Sequence, residues 1–105
     1  MKPEVRKALE ASIAKWERNA EVTDTGDAQV GIWNCALCRM FNWQWPDNEI
    51  EKANTCKGCP VYEKTGRKFC EGTPIDRTEE AEETGDIDAF ILAAREEVAF
   101  LRSLL

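Results

Sequence analysis

The stretch Cys35-Ala36-Leu37-Cys38 is followed by Cys56-Lys57-Gly58-Cys59 and by Cys70, so the segment 35–70 holds all five cysteines of the 105-residue chain. Two residues separate the cysteines of each pair, and this spacing turns both sulfurs toward one ion. Two such pairs supply the four thiolates of a tetrahedral zinc site. We therefore predict one zinc ion per chain, with Cys35, Cys38, Cys56 and Cys59 as its ligands.

Cys70 exceeds the four sulfurs that a closed zinc site needs. Three interpretations stay open: a buried thiol without a ligand role, a ligand that substitutes for one of the other four, or a free reactive thiol. The third rests on the basic residues Lys64, Arg67 and Lys68 just upstream. The sequence thus leaves open which four sulfurs bind the metal.

The metal also has an alternative. Pro60 follows Cys59, as a proline follows a cluster-binding cysteine in bacterial ferredoxins. The close run of cysteines that accompanies that proline in ferredoxins is missing here. Zinc is therefore the predicted cofactor, and a [4Fe–4S] cluster is the alternative.

The composition argues against an enzyme. The chain contains no histidine, which removes the commonest general base and the commonest partner of a nucleophilic cysteine. A zinc ion with four thiolate ligands is closed to substrate. We predict a non-enzymatic protein, with redox chemistry at Cys70 as the residual catalytic alternative.

Around the cysteines the apolar period is two. Val30 and Ile32 precede the first pair, and Phe41, Trp43 and Trp45 follow it in alternation with polar residues, which is typical of strands. A hairpin that carries a cysteine pair at its tip is a zinc ribbon. Asp47 is a candidate cap for a short helix before Cys56, and Pro60 a candidate start of a helical turn that ends at Gly66.

The two ends of the chain have helical periodicity. Leu9, Ile13 and Trp16 lie on one stripe near the N-terminus, and Phe90 and Val98 on another near the C-terminus, where Glu96 and Glu97 are assigned to the opposite, solvent side. We predict a small α+β fold with a single domain, residues 1–105. In it the two long terminal helices, residues 1–22 and 86–105, pack on a central zinc-ribbon-like cysteine module, residues 30–70.

The net charge of −6 is concentrated near the C-terminus, where residues 71–105 carry ten acidic and three basic side chains. Residues 71–85 are predicted to form a mostly solvated linker or a frayed helical turn, with an acidic docking surface as the alternative. No membrane-spanning segment or secretory signal is expected from the hydropathy pattern. Reduced thiols that ligate metal suit the cytoplasm, which is the predicted location.

Nucleic acid is a second candidate partner. The aromatic residues of the cysteine module are predicted core, with base stacking as the alternative. Binding to a nucleic acid backbone requires clustered basic side chains, and the overall charge disfavours it. The candidate contacts are Arg39, Lys52, Lys57, Arg67 and Lys68.

The order of these motifs resembles small cysteine-rich proteins of unknown function from tailed bacteriophages. The resemblance covers roughly residues 30–105. It rests on Trp33-Asn34-Cys35-Ala36-Leu37-Cys38, on Cys56-Lys57-Gly58-Cys59-Pro60-Val61, on Gly66, on Cys70-Glu71-Gly72-Thr73-Pro74, and on the ending Phe100-Leu101-Arg102-Ser103-Leu104-Leu105. It implies that Cys70 belongs to the shared cysteine pattern and that the protein acts in the cytoplasm of a bacterial host cell. It implies no activity.

Taken together, the sequence predicts a zinc-stabilised accessory protein that binds a host or phage protein. A nucleic-acid-binding zinc finger is the first alternative, and an iron–sulfur or redox protein is the second.

Overall fold

The structure is a computed structural model that describes residues 1–31, 34–41 and 56–105. Within these ranges the regular elements are five α-helices and two short 3₁₀ turns, and no strand is present. The predicted α+β fold with a zinc ribbon is therefore wrong for the described residues. The second predicted strand beyond Phe41 and the short helix after Asp47 lie outside them.

Helix α1 spans Pro3–Asn19 and confirms the N-terminal helix, although it ends three residues before the expected boundary at 22. Pro3 suits the first turn, where no intrahelical N–H bond is needed, and Glu4 lies near the positive end of the helix dipole. One face buries Leu9, Ile13 and Trp16.

Asn19 at the end of α1 holds the segment that was predicted to be the first strand. Its side-chain amide donates to the carbonyl of Gln29 and its Oδ1 accepts from the amide of Gln29, both at 2.9 Å. These bonds satisfy the Gln29 backbone without a neighbouring strand. The strand predicted before the first cysteine pair is therefore absent at Val30, and Ile32 lies outside the described residues.

The first cysteine pair lies at the start of a helix. Helix α2 spans Ala36–Phe41, and the amide of Arg39 donates to the carbonyl of Cys35 at 2.9 Å in the helical pattern. Phe41, predicted to begin a strand, is the last residue of this helix. Helix α3 spans Pro60–Thr65 and ends at Gly66, whose φ of 71° is left-handed, as the Pro and Gly signals predicted.

Helix α4 spans Ile75–Thr84, where a solvated linker or frayed turn was expected. Thr78 and Ala81 are buried against the next helix, and Gly85 ends α4 in a left-handed conformation with φ 71°. The linker prediction is wrong. The buried face of α4 consists of only two small residues, and the acidic residues around them gave the segment the polar pattern of a solvated chain.

Helix α5 spans Ile87–Arg102 and confirms the C-terminal helix, including its cap. Asp86 Oδ1 accepts a hydrogen bond from the amide of Ala89 at 3.1 Å. The helix packs most extensively on α4 and then on α1. Phe90 is fully buried, and its ring lies 6.3 Å from that of Trp16, centroid to centroid. The core between α1 and α5 thus supports the cysteine-bearing turns.

Candidate metal centre and flanking surfaces

Four cysteines from three separate elements line one small cavity. Cys38 lies on α2, Cys56 and Cys59 belong to the turn before α3, and Cys70 ends the 3₁₀ turn Lys68–Cys70. The cavity has a volume of about 10 Å³, roughly the room that one water molecule requires. Its remaining lining residues are Leu37, Val61, Tyr62 and Arg67. The structure therefore gathers four sulfur-bearing residues around a space of atomic size.

Two of these cysteines have an unusual backbone. Cys56 has φ 71° and Cys70 has φ 61°, and in the described part of the chain they are the only non-glycine residues with positive φ. A non-glycine residue in this region costs roughly 1–3 kcal/mol. Gly58 between the second pair has φ 91°, and a Cβ there would lie 3.0 Å from the Phe41 ring. The turn is therefore tightly packed as well as strained.

Cys35 is set apart from the cavity lining. Its sulfur lies 4.0 Å from Ser12 Oγ and accepts a hydrogen bond from the Cys38 amide at 3.3 Å. Ser12 belongs to α1, so Cys35 contacts the helical core on one side and the cysteine pair on the other. A metal-bound thiolate also accepts backbone N–H bonds, so this hydrogen bond suits a ligand and a non-ligand alike.

The sulfurs influence one another strongly. The Cys38 thiol donates to the Cys35 sulfur, which raises the pKa of Cys38 and lowers the pKa of Cys35, and the Lys15 ammonium lowers the latter further. Burial raises the pKa of Cys59 and Cys70, and the negative charge of Cys35 adds to both shifts. A metal ion entering this cluster displaces protons from the buried thiols, so its affinity rises with pH.

The donor chemistry fits zinc, although the side-chain positions do not yet form a coordination shell. Thiolates are preferred zinc ligands, and the sequence offers no histidine to compete with them. As the side chains stand, no three cysteine or carboxylate groups among residues 1–31, 34–41 and 56–105 form a set that would hold a metal ion. Coordination therefore requires side-chain rotation that draws sulfurs inward.

Glu97 is a buried carboxylate, although the helical periodicity was taken to place it on the solvent side of α5. It is 0% exposed, and within the described ranges neither carboxylate oxygen has a hydrogen-bond partner. The Thr73 hydroxyl and the Ile75 amide lie close by, but the hydroxyl donates to the Cys70 carbonyl and the amide donates to the hydroxyl. Burial raises the pKa of Glu97 to about 7, against a lowering effect from Lys15.

Lys15 is the second buried charged residue that was missed. It is 5% exposed, and its Nζ lies 5.0 Å from the centroid of the Trp16 ring, within the range of a cation–π contact. Its charge acts on both Cys35 and Glu97. The signal in the sequence was spacing, because Ser12, Lys15 and Asn19 follow one another by three and four residues beside the apolar stripe.

The candidate nucleic-acid contacts do not form one surface in the structure. Arg39 lines a groove of about 270 Å³ with Lys15 and Arg18 of α1. Arg67 lines the cysteine cavity instead, and its side chain packs beside Gly72. Lys57 is exposed in the turn between Cys56 and Cys59, and Lys68 is half-buried in the 3₁₀ turn before Cys70. Lys52 lies outside the described residues.

An acidic groove separates the outer faces of α4 and α5. It has a volume of about 640 Å³, and its lining includes the buried side chains of Ala81 and Ala93. Leu92 also lines it and is 61% exposed, so it presents a large apolar side chain to the groove. The polar lining residues are Arg77, Glu80, Thr84, Asp86 and Glu96. Arg77 forms an ion pair with Glu96. The other charged lining residues, Glu80 and Asp86, are acidic, so the net charge of the groove is negative.

No protein-family model, curated protein or solved structure matches this chain. The resemblance to phage cysteine-rich proteins consequently stays a prediction. In the described part of the chain, no helix combines the length and apolar character that crossing a membrane requires.

Proposed function

We propose that the protein is a non-enzymatic, zinc-stabilised accessory protein of the phage type, whose cysteine module holds together a helical surface for another protein. The observation that carries the proposal is the convergence of Cys38, Cys56, Cys59 and Cys70 on one cavity. Their turns connect to α2, α3 and α4, so a metal ion bound there would fix three helices relative to one another.

The metal fits a structural role. A structural zinc site contributes its binding energy to folding, on the order of 10–16 kcal/mol in small zinc domains at neutral pH. The cavity is small, and besides the four cysteines and Arg67 its lining consists of Leu37, Val61 and Tyr62. It leaves no room for a substrate beside a metal ion.

The acidic groove between α4 and α5 is the proposed protein-binding surface. Its negative charge favours a partner segment with basic side chains, and Leu92 with the small floor residues Ala81 and Ala93 favours apolar side chains on the same segment. A basic amphipathic helix has both features on one element. We therefore expect a protein partner that presents such a helix.

Affinity capture from bacterial cells with a charge-reversed variant tests the binding surface. We expect the double variant Glu80→Lys and Glu96→Lys, and separately Leu92→Ala, to release a basic protein that the unmodified chain retains. The control is Glu4→Lys with Glu21→Lys, which changes the net charge equally on exposed α1-side residues that do not line the groove. Retention of the same proteins by the groove variants, or equal loss from the control, would contradict this surface.

Nucleic-acid binding is the second candidate, favoured by one observation. Arg18 and Arg39 are exposed and line a common groove with Lys15, so three cationic side chains lie together in an otherwise acidic protein. Phosphate binding at this groove predicts a mobility shift with single- or double-stranded DNA that weakens steeply with salt. We expect Arg18→Gln with Arg39→Gln to abolish such a shift; a shift that persists in this variant, or the absence of any shift at low salt, would exclude this groove as the site.

A further inference from the structure

We infer that the metal is held by Cys38, Cys56, Cys59 and Cys70, and that Cys35 is the sulfur outside the coordination shell. This inference rests on the proposed metal-stabilised function and goes beyond it, because the cysteine spacing alone pairs Cys35 with Cys38 as ligands. The ligand class is a thiophilic divalent cation, with zinc as the expected ion.

The first argument is position. The four proposed ligands line the same cavity of about 10 Å³, whereas Cys35 does not line it. The Cys35 sulfur lies beside the cluster, where it contacts Cys38, and its other side faces α1, 4.0 Å from Ser12 Oγ. Four side chains that already border one space reach a common ion by inward rotation, while the Cys35 sulfur keeps its contact with Ser12.

The second argument is backbone conformation. Cys56 and Cys70 have φ 71° and 61°, a region that favours glycine. Strained residues persist where the surrounding structure over-determines them, and they cluster at functional sites. Both strained cysteines border the cavity, so a bond from each sulfur to one ion explains why neither position is a glycine.

The third argument is charge. Four thiolates around a divalent cation leave a net charge of −2, and Arg67, which lines the cavity, is a cationic residue that would offset part of that charge. On binding, each of the four thiols that still carries a proton releases it to solvent as its sulfur–metal bond forms, and no electron is transferred.

Cobalt substitution tests the ligand set. The full chain and the single variants Cys35→Ser and Cys70→Ser are reduced, freed of metal and titrated with Co²⁺ and then Zn²⁺. We expect Cys35→Ser to keep the thiolate-to-cobalt charge-transfer intensity of the unmodified protein and to bind zinc within about threefold of it. For Cys70→Ser we expect reduced intensity and zinc affinity lower by more than a hundredfold, beyond the roughly 10–100-fold loss typical of an outer-shell change.

The reverse pattern would overturn the inference while leaving the zinc-stabilised function intact. Failure of the unmodified chain to bind either metal would overturn both. A second measurement avoids any folding defect in the variants: the zinc-loaded native protein is alkylated and the modified cysteine is identified by mass spectrometry. Alkylation first at Cys35 supports the assignment, and alkylation first at Cys70 contradicts it.

Discussion

Replacement of Glu97 by glutamine should remove a specific part of the pH dependence of folding. Burial raises the pKa of this carboxyl from its ordinary 4.5 to about 7 in the folded protein, so the folded state binds a proton that the unfolded state has lost. Stability from this group is complete below pH 4.5 and is lost as the pH rises through about 7. The full shift corresponds to about 3 kcal/mol.

The groups that face Glu97 together determine the direction in which its pKa is shifted. Lys15 from α1 favours the ionised form, whereas the negative charge of Cys35 disfavours it, and Cys70 with Thr73 closes the other side. Because the carboxylate oxygens have no hydrogen-bond partner among the described residues, burial dominates. The free energy of unfolding of the unmodified protein should therefore fall by about 1.3 kcal/mol between about pH 6 and pH 8 through this group alone.

The assay is urea denaturation at both pH values with saturating zinc, on the unmodified chain, on Glu97→Gln and on the exposed control Glu83→Gln. The quantity of interest is the difference in unfolding free energy between each variant and the unmodified chain, since metal and thiol effects common to all three cancel. Because glutamine does not titrate, we expect the stability of Glu97→Gln relative to the unmodified chain to rise by about 1 kcal/mol between pH 6 and pH 8. The relative stability of the control should stay constant. A constant difference for Glu97→Gln, or a shift of opposite sign, would refute the reasoning.

Three further substitutions test the helical framework by denaturation. Phe90→Ala empties a fully buried site at the contact of α1 and α5, and we expect a loss of about 3–5 kcal/mol, against a much smaller loss for the half-buried Phe100→Ala. Asn19→Ala leaves the Gln29 backbone without its two partners and should cost about 1–3 kcal/mol, whereas Gln29→Ala keeps that backbone and should be nearly neutral; equal losses would contradict the role of the Asn19 amide. Asp86→Ala removes the cap of α5 and should cost about 1 kcal/mol, and an unchanged stability would show that the Ala89 amide finds another partner.

The helices that could be predicted from the sequence are those with local signals. Pro3 and a three-four apolar stripe marked α1, Asp86 and a similar stripe marked α5, and Pro60 with Gly66 bounded α3. Caps and periodicity act within a few residues, so a single sequence contains them. The same signals were present for α4 in Ile75, Thr78 and Ala81, but a face of small residues next to an acidic run resembles solvated chain.

The strand predicted before the first cysteine pair is wrong at its described residues, because the alternating pattern behind it covers only a few residues. A period of two over only a few residues around Val30 does not distinguish a strand from a loop, and here the loop is fixed by a side chain from another element, Asn19. Such long-range contacts leave no local signature. The buried charge was more accessible: Glu97 follows Ala94 by three residues and precedes Leu101 by four, so it falls on the core stripe of α5.

The spacing of the cysteines predicted that Cys35, Cys38, Cys56 and Cys59 would share one ion, whereas the cavity is lined by Cys38, Cys56, Cys59 and Cys70. The difference depends on Cys70 entering the cavity from the turn before α4 and on Cys35 packing against Ser12. Both contacts connect residues far apart in the chain. Sequence spacing therefore predicts a thiolate site, and it does not identify which of the five sulfurs lie together.

Elemental analysis of anaerobically purified protein, with thiol titration before and after chelation, tests the metal-stabilised centre most directly. We expect about one zinc per chain, one reactive thiol in the native protein and five after chelation, together with loss of helical signal as the metal leaves. Iron with sulfide, or a metal-free protein that keeps its helical signal and all its thiols reactive, would contradict the proposed zinc centre.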